Sequence, residues 1–218
     1  QSGWAGREPP HPWLSRRWLR QYVASKAVAE PVAWEHPRVL AAWAAELRAG
    51  LRGLWRRRAE LLALAETLPQ TTCHLDVWPM NLIARGGTGA EIVLLDWAFV
   101  GAGAIGEDIG NLIPDSVADG LMDPGLLPEI DEAVTAGYLA GLRAGGWRGR
   151  DAAVRRAIAV TGAAKYCWLA PLMLGRLAEG SGPSWYDRRS AEQVLAGRLG
   201  MLTLVAGWGR QALAGQAG

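Results

Sequence analysis

The sequence predicts a mainly α protein with one small β element near its middle. Apolar residues recur at helical spacing on both sides of the centre, as at Leu47, Leu51 and Leu54. One β-branched, apolar run, EIVLLDWAFV at 91–100, gives the strong strand signal of the chain and follows a Gly-rich turn. The 218 residues are 50% hydrophobic, which is enough for a sizeable core in about one large domain.

The first 69 residues are predicted to be a helical lead-in. A helix over 13–29 would place Leu14, Trp18, Tyr22 and Val23 on one face. The apolar repeat then continues at helical spacing from residue 38 to residue 68, where a proline ends it. Prolines at positions 31 and 37 separate the two helical segments. The arginines at 56–58 are expected on the solvated face of the second segment.

Residues 70–100 are predicted to form the β-rich part of the chain. The segments TTCHLD and NLIA flank a short loop, and the strand-forming run at 91–100 follows them. Helices are predicted again after this part, over 128–144, 150–179 and 190–214. A kink is expected at Pro171 in the second of these, and a capping box with Gln193 is expected at the start of the third.

Charge, cysteine content and hydropathy exclude several classes of protein. With 23 basic and 21 acidic residues the formal net charge is +2, which is too balanced to indicate a nucleic-acid or membrane-surface partner. Cys73 and Cys167 are far apart in apolar surroundings and are predicted to be reduced, which favours the cytoplasm. The apolar segment 157–174 contains Lys165 and Pro171, so a buried core helix is expected there instead of a membrane span.

A polar cluster in the β-rich part has the composition of a phosphoryl-transfer site. Such a site needs one carboxylate to accept or orient the proton of the attacking hydroxyl, and Asp76 is suited to that task. It also needs oxygen ligands for Mg²⁺, and Asn81 and Asp96 are suited to that one. The order of the three is that of the protein-kinase motifs H-R-D-x-x-x-x-N and D-F-G.

The segments HLDVWPMNL and IVLLDWAFVGAGAIGEDIGNL resemble the aminoglycoside phosphotransferase and choline kinase-like families. The family pattern runs H-G-D-x-x-P-x-N, then a hydrophobic strand ending in D-W, then a further Asp before an apolar helix. The resemblance covers 73–112 and implies the helical C-lobe of a protein-kinase-like α+β fold. It implies Asp76 as catalytic base, Asn81 and Asp96 as Mg²⁺ ligands, and ATP or another nucleoside triphosphate as phosphoryl donor.

The same resemblance implies two supporting residues. His74 would brace the catalytic loop, and Asp108 would hold that loop through backbone amides. The sequence departs from the family pattern at Leu75, where relatives carry Gly, and at Met80, where Gly is frequent. Trp78 stands where relatives often carry His or Lys, which puts a phosphate contact at that position in doubt.

The resemblance divides the chain into a helical lead-in (1–69), catalytic and metal-binding loops with short strands (70–112) and a helical substrate side (113–218). A kinase also needs a strand-rich N-lobe with a Gly-rich loop and a strand lysine, and no such pattern precedes residue 76. The chain is therefore expected to lack the N-lobe, which would be supplied in cis or in trans. The alternative is a degenerate kinase-like domain that serves as a binding or interaction module.

A second motif competes with this interpretation. Gly101, Gly103 and Gly106 form a G-x-G-x-x-G pattern directly after a strand, as in dinucleotide-binding proteins. That fold also needs a long helix and a second strand, whereas Pro114 and further glycines and prolines follow here. The glycines are therefore interpreted as a flexible loop after the metal-binding Asp96, and dinucleotide binding is the weaker alternative.

The substrate and the oligomeric state stay open at the level of sequence. An acidic stretch after the predicted metal site would suit a cationic substrate such as an aminoglycoside or choline, although a solvated acidic loop is the commoner explanation. Its members are Asp108, Asp115, Asp119, Asp123, Glu129, Asp131 and Glu132. The sequence predicts a small molecule with a hydroxyl group as phosphoryl acceptor.

Overall fold

The computed structural model describes residues 13–86, 91–118, 120–180 and 189–214. Ten α-helices and four short strands lie within these ranges, so the predicted mainly α class with a small β element is confirmed. The helices are α1 (Trp18–Ala24), α2 (Pro37–Ala42), α3 (Ala45–Arg56), α4 (Arg58–Thr67), α5 (Glu107–Ala118), α6 (Leu127–Ala144), α7 (Asp151–Tyr166), α8 (Leu169–Ala178), α9 (Ala191–Gly197) and α10 (Leu199–Ala214). The strands are β1 (Gln70–Cys73), β2 (Leu82–Arg85), β3 (Glu91–Leu94) and β4 (Gly101–Ala104).

The predicted helical segments are shorter in the structure than the periodicity suggests. The first helix covers 18–24 instead of 13–29, and the pattern over 38–68 is divided among α2, α3 and α4. One break lies at Trp43, whose backbone is extended (φ −122°, ψ 130°). The Trp43 side chain is 1% exposed, and its indole N–H donates to the carbonyl oxygen of Leu195 at 3.2 Å. A distant tertiary contact thus outweighs helical propensity at this residue.

The C-terminal helices show the same subdivision. The predicted span 150–179 is divided at Cys167 and Trp168 into α7 and α8. The break precedes Pro171 by one helical turn, because proline has no N–H to donate to the carbonyl four residues before it. The predicted span 190–214 is interrupted at Arg198, and its capping box at Ser190 is confirmed.

The core is built around α7, which packs against α4, α5 and α10. By length and composition the segment Asp151–Ala178 could cross a membrane, but 94% of its most apolar window is buried inside the protein. This agrees with the predicted core helix. Helix α5 was not among the helices predicted from periodicity, but the family pattern has an apolar helix after its last Asp. It forms with Pro114 in its interior. A Cβ on Gly110 of α5 would lie 2.8 Å from the backbone nitrogen of Gly162, so the two helices meet at glycines.

The strands form two antiparallel pairs, β1 with β4 and β2 with β3. The predicted flexible loop at Gly101–Ala104 is wrong, because these residues are strand β4. A Cβ on Gly101 would lie 2.2 Å from the carbonyl oxygen of Ser15, and a Cβ on Gly103 would lie 2.9 Å from Sγ of Cys73. The glycines therefore permit close backbone packing. The dinucleotide-binding alternative is also wrong, since the described strands lack its parallel βαβ arrangement.

Candidate active site

Asp108, in the first turn of α5, accepts hydrogen bonds from the backbone of the loop between β1 and β2. One carboxylate oxygen of Asp108 accepts the backbone N–H of His74 at 2.9 Å, and the other accepts that of Leu75 at 2.8 Å. Burial raises the pKa of Asp108, while the two amide hydrogen bonds oppose that rise. A single carboxylate thus fixes two consecutive peptide units immediately before Asp76.

Leu75 adopts a left-handed backbone conformation with φ 70°. This conformation costs a residue with a side chain roughly 1 kcal/mol, and relatives carry Gly at the equivalent position of the motif. The side chain of Leu75 is 2% exposed and reaches Gly103 of β4. Burial of this apolar side chain offsets the backbone strain, which explains how Leu substitutes for Gly here.

His74 links the loop to the end of β3. Its Nε2 lies 2.7 Å from the carbonyl oxygen of Leu95, and its Nδ1 accepts the backbone N–H of Asp76 at 3.2 Å. An Nδ1 that accepts and an Nε2 that donates define the neutral tautomer. The ring also meets Trp97 edge-on, with the centroids 4.8 Å apart. These contacts position the backbone of Asp76 and the residues around Asp96, and they use both ring nitrogens of His74.

Asp76 and Asn81 are joined directly. The amide Nδ2 of Asn81 donates to the carbonyl oxygen of Asp76 at 2.9 Å and to its carboxylate Oδ2 at 3.2 Å. Asp76 is half-buried and Asn81 is 9% exposed. Nδ2 of Asn81 donates to the carbonyl oxygen and to Oδ2 of Asp76. The amide oxygen Oδ1 of Asn81 is therefore directed away from these two atoms.

Asp96 does not lie in a strand, although the sequence predicted one over 91–100. Strand β3 ends at Leu94, and Asp96 is exposed in a left-handed conformation (φ 54°, ψ 72°) at the start of a short 3₁₀ turn. The backbone N–H of Leu95 donates to the carbonyl oxygen of Asn81 at 2.9 Å. The Asp96 carboxylate is exposed, and its Oδ1 accepts the backbone N–H of Ala98 at 3.4 Å.

The side-chain oxygens available here suit Mg²⁺, a hard cation that takes oxygen ligands. No group of three His, Cys, Asp or Glu side chains that could hold a metal occurs among the residues that the structure describes. Mg²⁺ characteristically uses one or two protein oxygens and completes its shell with water and substrate phosphates. The amide oxygen of Asn81 and the carboxylate of Asp96 are a donor set of that kind.

The sequence analysis did not assign two buried ionisable residues near the loop to the site. Glu107 is 7% exposed and accepts the backbone N–H of Ala104 at 2.9 Å. Burial, reinforced by the charge of Asp108, raises the pKa of Glu107 to about 7. Lys165 in α7 is 6% exposed, and burial lowers its pKa. The only signal in the sequence was the presence of Lys165 within an apolar helix.

A cavity of about 660 Å³ lies beside the loop. It is lined by residues of α1, α5 and α8, by the segments that follow α1 and α7, and by Trp78 of the loop; among them are Tyr22, Lys26, Asp115, Trp168 and Arg176. Burial raises the pKa of Tyr22, and the charges of Asp115 and Asp76 add to that effect. Trp78, two residues after Asp76, places the cavity next to the predicted base. Of the described members of the acidic stretch, Asp115 alone lines this cavity, and Asp119 lies outside the described residues.

The sequence of residues 4–152 matches the model of a phosphotransferase enzyme family. This range contains every residue that the sequence analysis assigned to the site. Among solved structures, a choline/ethanolamine kinase family protein from Mesorhizobium loti is similar, with 20% identity and a TM-score of 0.48. The match covers 99% of this chain and 63% of that protein, so this chain spans less than two thirds of its length. No curated protein matches the chain.

Proposed function

The chain belongs to the phosphotransferase enzyme family, and we propose that its site transfers a phosphoryl group from ATP, with the help of Mg²⁺, to a hydroxyl of a small molecule. Family membership confirms the resemblance that the motifs suggested. The observation that carries the proposal is the hydrogen bond between Asn81 and the Asp76 carboxylate, on a loop whose amides are fixed by Asp108. These contacts fix the proposed proton acceptor, Asp76, next to the proposed metal ligand, Asn81, before any substrate binds.

We assign the proton-transfer role to Asp76. Its carboxylate would accept the proton of the substrate hydroxyl as the oxygen attacks the terminal phosphorus of ATP and the bond to the bridging oxygen breaks, releasing ADP. The hydrogen bond from Asn81 orients that carboxylate. Asn81 and Asp96 would hold Mg²⁺, which supplies neutralisation of the phosphate charge. His74 and Asp108 act through the backbone and are positioning residues.

We also propose that the nucleotide is held by a lobe outside these 218 residues, joined in cis or in trans. Kinases of this type use a strand-rich lobe with a Gly-rich loop and a strand lysine. In the part of the chain that the structure describes, every strand follows residue 69, and the two lysines of the sequence lie after α1 and within α7. The cytoplasm, where ATP is abundant and the thiols Cys73 and Cys167 stay reduced, is the proposed compartment.

The test is phosphoryl transfer by the whole protein to a panel of small hydroxyl compounds, with product detected by mass. Asp76→Asn preserves the shape of the side chain and removes the proton acceptor, so kcat is expected to fall by roughly 10²–10⁴-fold with ATP affinity retained. Asp96→Asn is expected to raise the Mg²⁺ concentration needed for half-maximal rate. Glu129→Gln, which removes an exposed carboxylate from α6, is the matched control.

The outcome distinguishes this proposal from the binding-module alternative. Unchanged kcat in Asp76→Asn would contradict the assignment of the base. Nucleotide binding without turnover by the wild-type protein, in the presence of Mg²⁺ and the full panel, would instead favour a degenerate domain used for binding.

A further inference from the structure

Both lysines of this chain meet at one aromatic ring. The sequence has 23 basic residues, of which only Lys26 and Lys165 are lysines. The Lys26 ammonium lies 3.8 Å from the ring centroid of Tyr22, and the Lys165 ammonium lies 4.8 Å from the same centroid. Lys26 also lies 4.5 Å from the centroid of Trp168. Two residues separated by 139 positions thus converge on Tyr22, which lines the cavity beside the catalytic loop together with Lys26.

This arrangement is electrostatically unfavourable for the protein alone. Lys165 is almost fully buried, and its charge lowers the pKa of Lys26 in addition to the effect of burial. Negative charges lie around the pair and oppose these shifts, with Asp115 acting on both lysines and Glu107, Asp76 and Asp108 acting on Lys165. Lys26 is only partly buried and lines the cavity, so it is the member of the pair that an anion in the cavity can reach.

The lysines also occupy the surfaces that a cationic substrate would use. Quaternary ammonium groups are recognised by the faces of aromatic rings, and Tyr22 and Trp168 both line the cavity. Here the ammonium of Lys26 already lies against both rings. A substrate cation would have to displace it while remaining close to Lys165, so like-charge repulsion opposes cationic substrates.

The remaining charges of the cavity favour the same conclusion. Its described lining carries three basic side chains, Lys26, Arg176 and Arg198, against two acidic ones, Asp115 and Glu179. Beyond the lining, Lys165 adds one positive charge through its contact with Tyr22, and Asp76 adds one negative charge that acts on the same ring. The cavity therefore differs from the acidic pocket that an aminoglycoside would require.

We propose that this cavity binds a hydroxyl compound carrying an oxyanion group, such as a carboxylate, sulfonate or phosphate, with Lys26 as the pairing residue and Lys165 reinforcing its positive field. The inference rests on the proposed phosphotransferase function, because it names the substrate class of that site. The hydroxyl would face Asp76, and the anion would lie toward α1 and α7.

Three compounds of nearly equal shape test the sign of this preference. Choline, 3,3-dimethylbutan-1-ol and isethionate each present a hydroxyethyl group on a branched head that is cationic, neutral or anionic, respectively. Binding to the 218-residue chain without nucleotide is measured by quenching of tryptophan fluorescence and by calorimetry. Isethionate is expected to bind roughly tenfold or more tightly than the neutral alcohol, and choline more weakly than either.

Variants identify the residue responsible. Lys26→Met retains the apolar stem and is expected to abolish the preference for isethionate, while Lys26→Arg retains it. Arg148→Met removes one positive charge from an exposed position between α6 and α7 and is the matched control. If Lys26→Met does not fold, the order of the three ligands on the wild-type protein still decides the question.

Two results would overturn the inference: choline binding at least as tightly as isethionate, or a Lys26→Met variant that keeps the wild-type ratio. Failure of the proposed function has a different signature. Anion-selective binding with no phosphoryl transfer from ATP to any acceptor would leave the substrate class standing and refute the phosphotransferase activity. Phosphoryl transfer to choline and not to isethionate would support the phosphotransferase activity and refute the anionic substrate class.

Discussion

Replacing Glu107 with Gln is expected to change how the stability of the protein depends on pH. The Glu107 side chain is 7% exposed, and its pKa is raised from 4.5 to about 7 by burial and by the nearby charge of Asp108. A carboxyl group whose pKa is higher in the folded state contributes stability that is complete below the unfolded pKa. That contribution is lost as the pH rises through about 7.

The magnitude follows from the size of the shift. A change from 4.5 to about 7 corresponds to about 3 kcal/mol of unfolding free energy. Part of this stabilising contribution is already lost at about pH 5. About 2.5 kcal/mol of it is lost between about pH 5 and pH 8. Gln does not ionise, and its side-chain oxygen can still accept the backbone N–H of Ala104. The unfolding free energy of Glu107→Gln relative to wild type should therefore rise by that amount over this interval.

Urea unfolding followed by tryptophan fluorescence at several pH values measures this difference. The Gln amide introduces buried hydrogen-bond donors, and their cost lowers the unfolding free energy of the variant by the same amount at every pH. The informative quantity is therefore the change of the variant–wild-type difference with pH. Glu129→Gln, from the first turn of α6, is the control variant. A difference between Glu107→Gln and wild type that stays flat from about pH 5 to pH 8 would refute the assignment of Glu107 as a buried carboxyl of raised pKa.

Three further changes have defined expected effects on stability, each measured by urea unfolding. Asp108→Asn leaves one of the two loop amides facing an NH₂ group, so a loss of about 1–3 kcal/mol is expected, and a loss within error would contradict its anchoring role. Gly101→Ala forces a Cβ against the backbone of Ser15 and should cost about 1–3 kcal/mol. The control Gly137→Ala meets nothing within 4 Å in α6 and should stabilise by about 0.5–1 kcal/mol. Ser190→Ala removes the cap of α9 and should cost about 1 kcal/mol, which full retention of stability would disprove.

The proximity of Asp76 and Asn81 was predictable from the sequence because the two residues are close along the chain. Asp76 and Asn81 are five positions apart, so local structure alone brings them within hydrogen-bonding distance. The capping box at Ser190 and the core character of the segment around Lys165 were accessible for the same kind of reason. Spacing and residue type carry this information, since the contacts concerned are made within a few residues.

Only the tertiary structure showed which long-range contacts override the local pattern. The break at Trp43 depends on a carbonyl 152 residues away, and the packing of β4 depends on the backbone of Ser15. The environment of Asp96 was misjudged, because the end of strand β3 is set by its pairing with β2. The role of His74 as a link to the carbonyl of Leu95 likewise becomes visible only when β1 and β3 are seen together.

The sequence by itself determined the chemistry that the protein has available: a carboxylate, an amide and a second carboxylate in the order of a phosphotransferase, within a mainly helical chain. The tertiary structure decided the polarity of the cavity in which that chemistry would act. An acidic stretch in the sequence would suit a cationic substrate, with a solvated loop as its commoner explanation. The fold brings only Asp115 of its described members to the cavity and brings both lysines to Tyr22. The physical reason is that the interaction between two charges depends on their distance in space. The positions of two residues along the chain do not determine that distance.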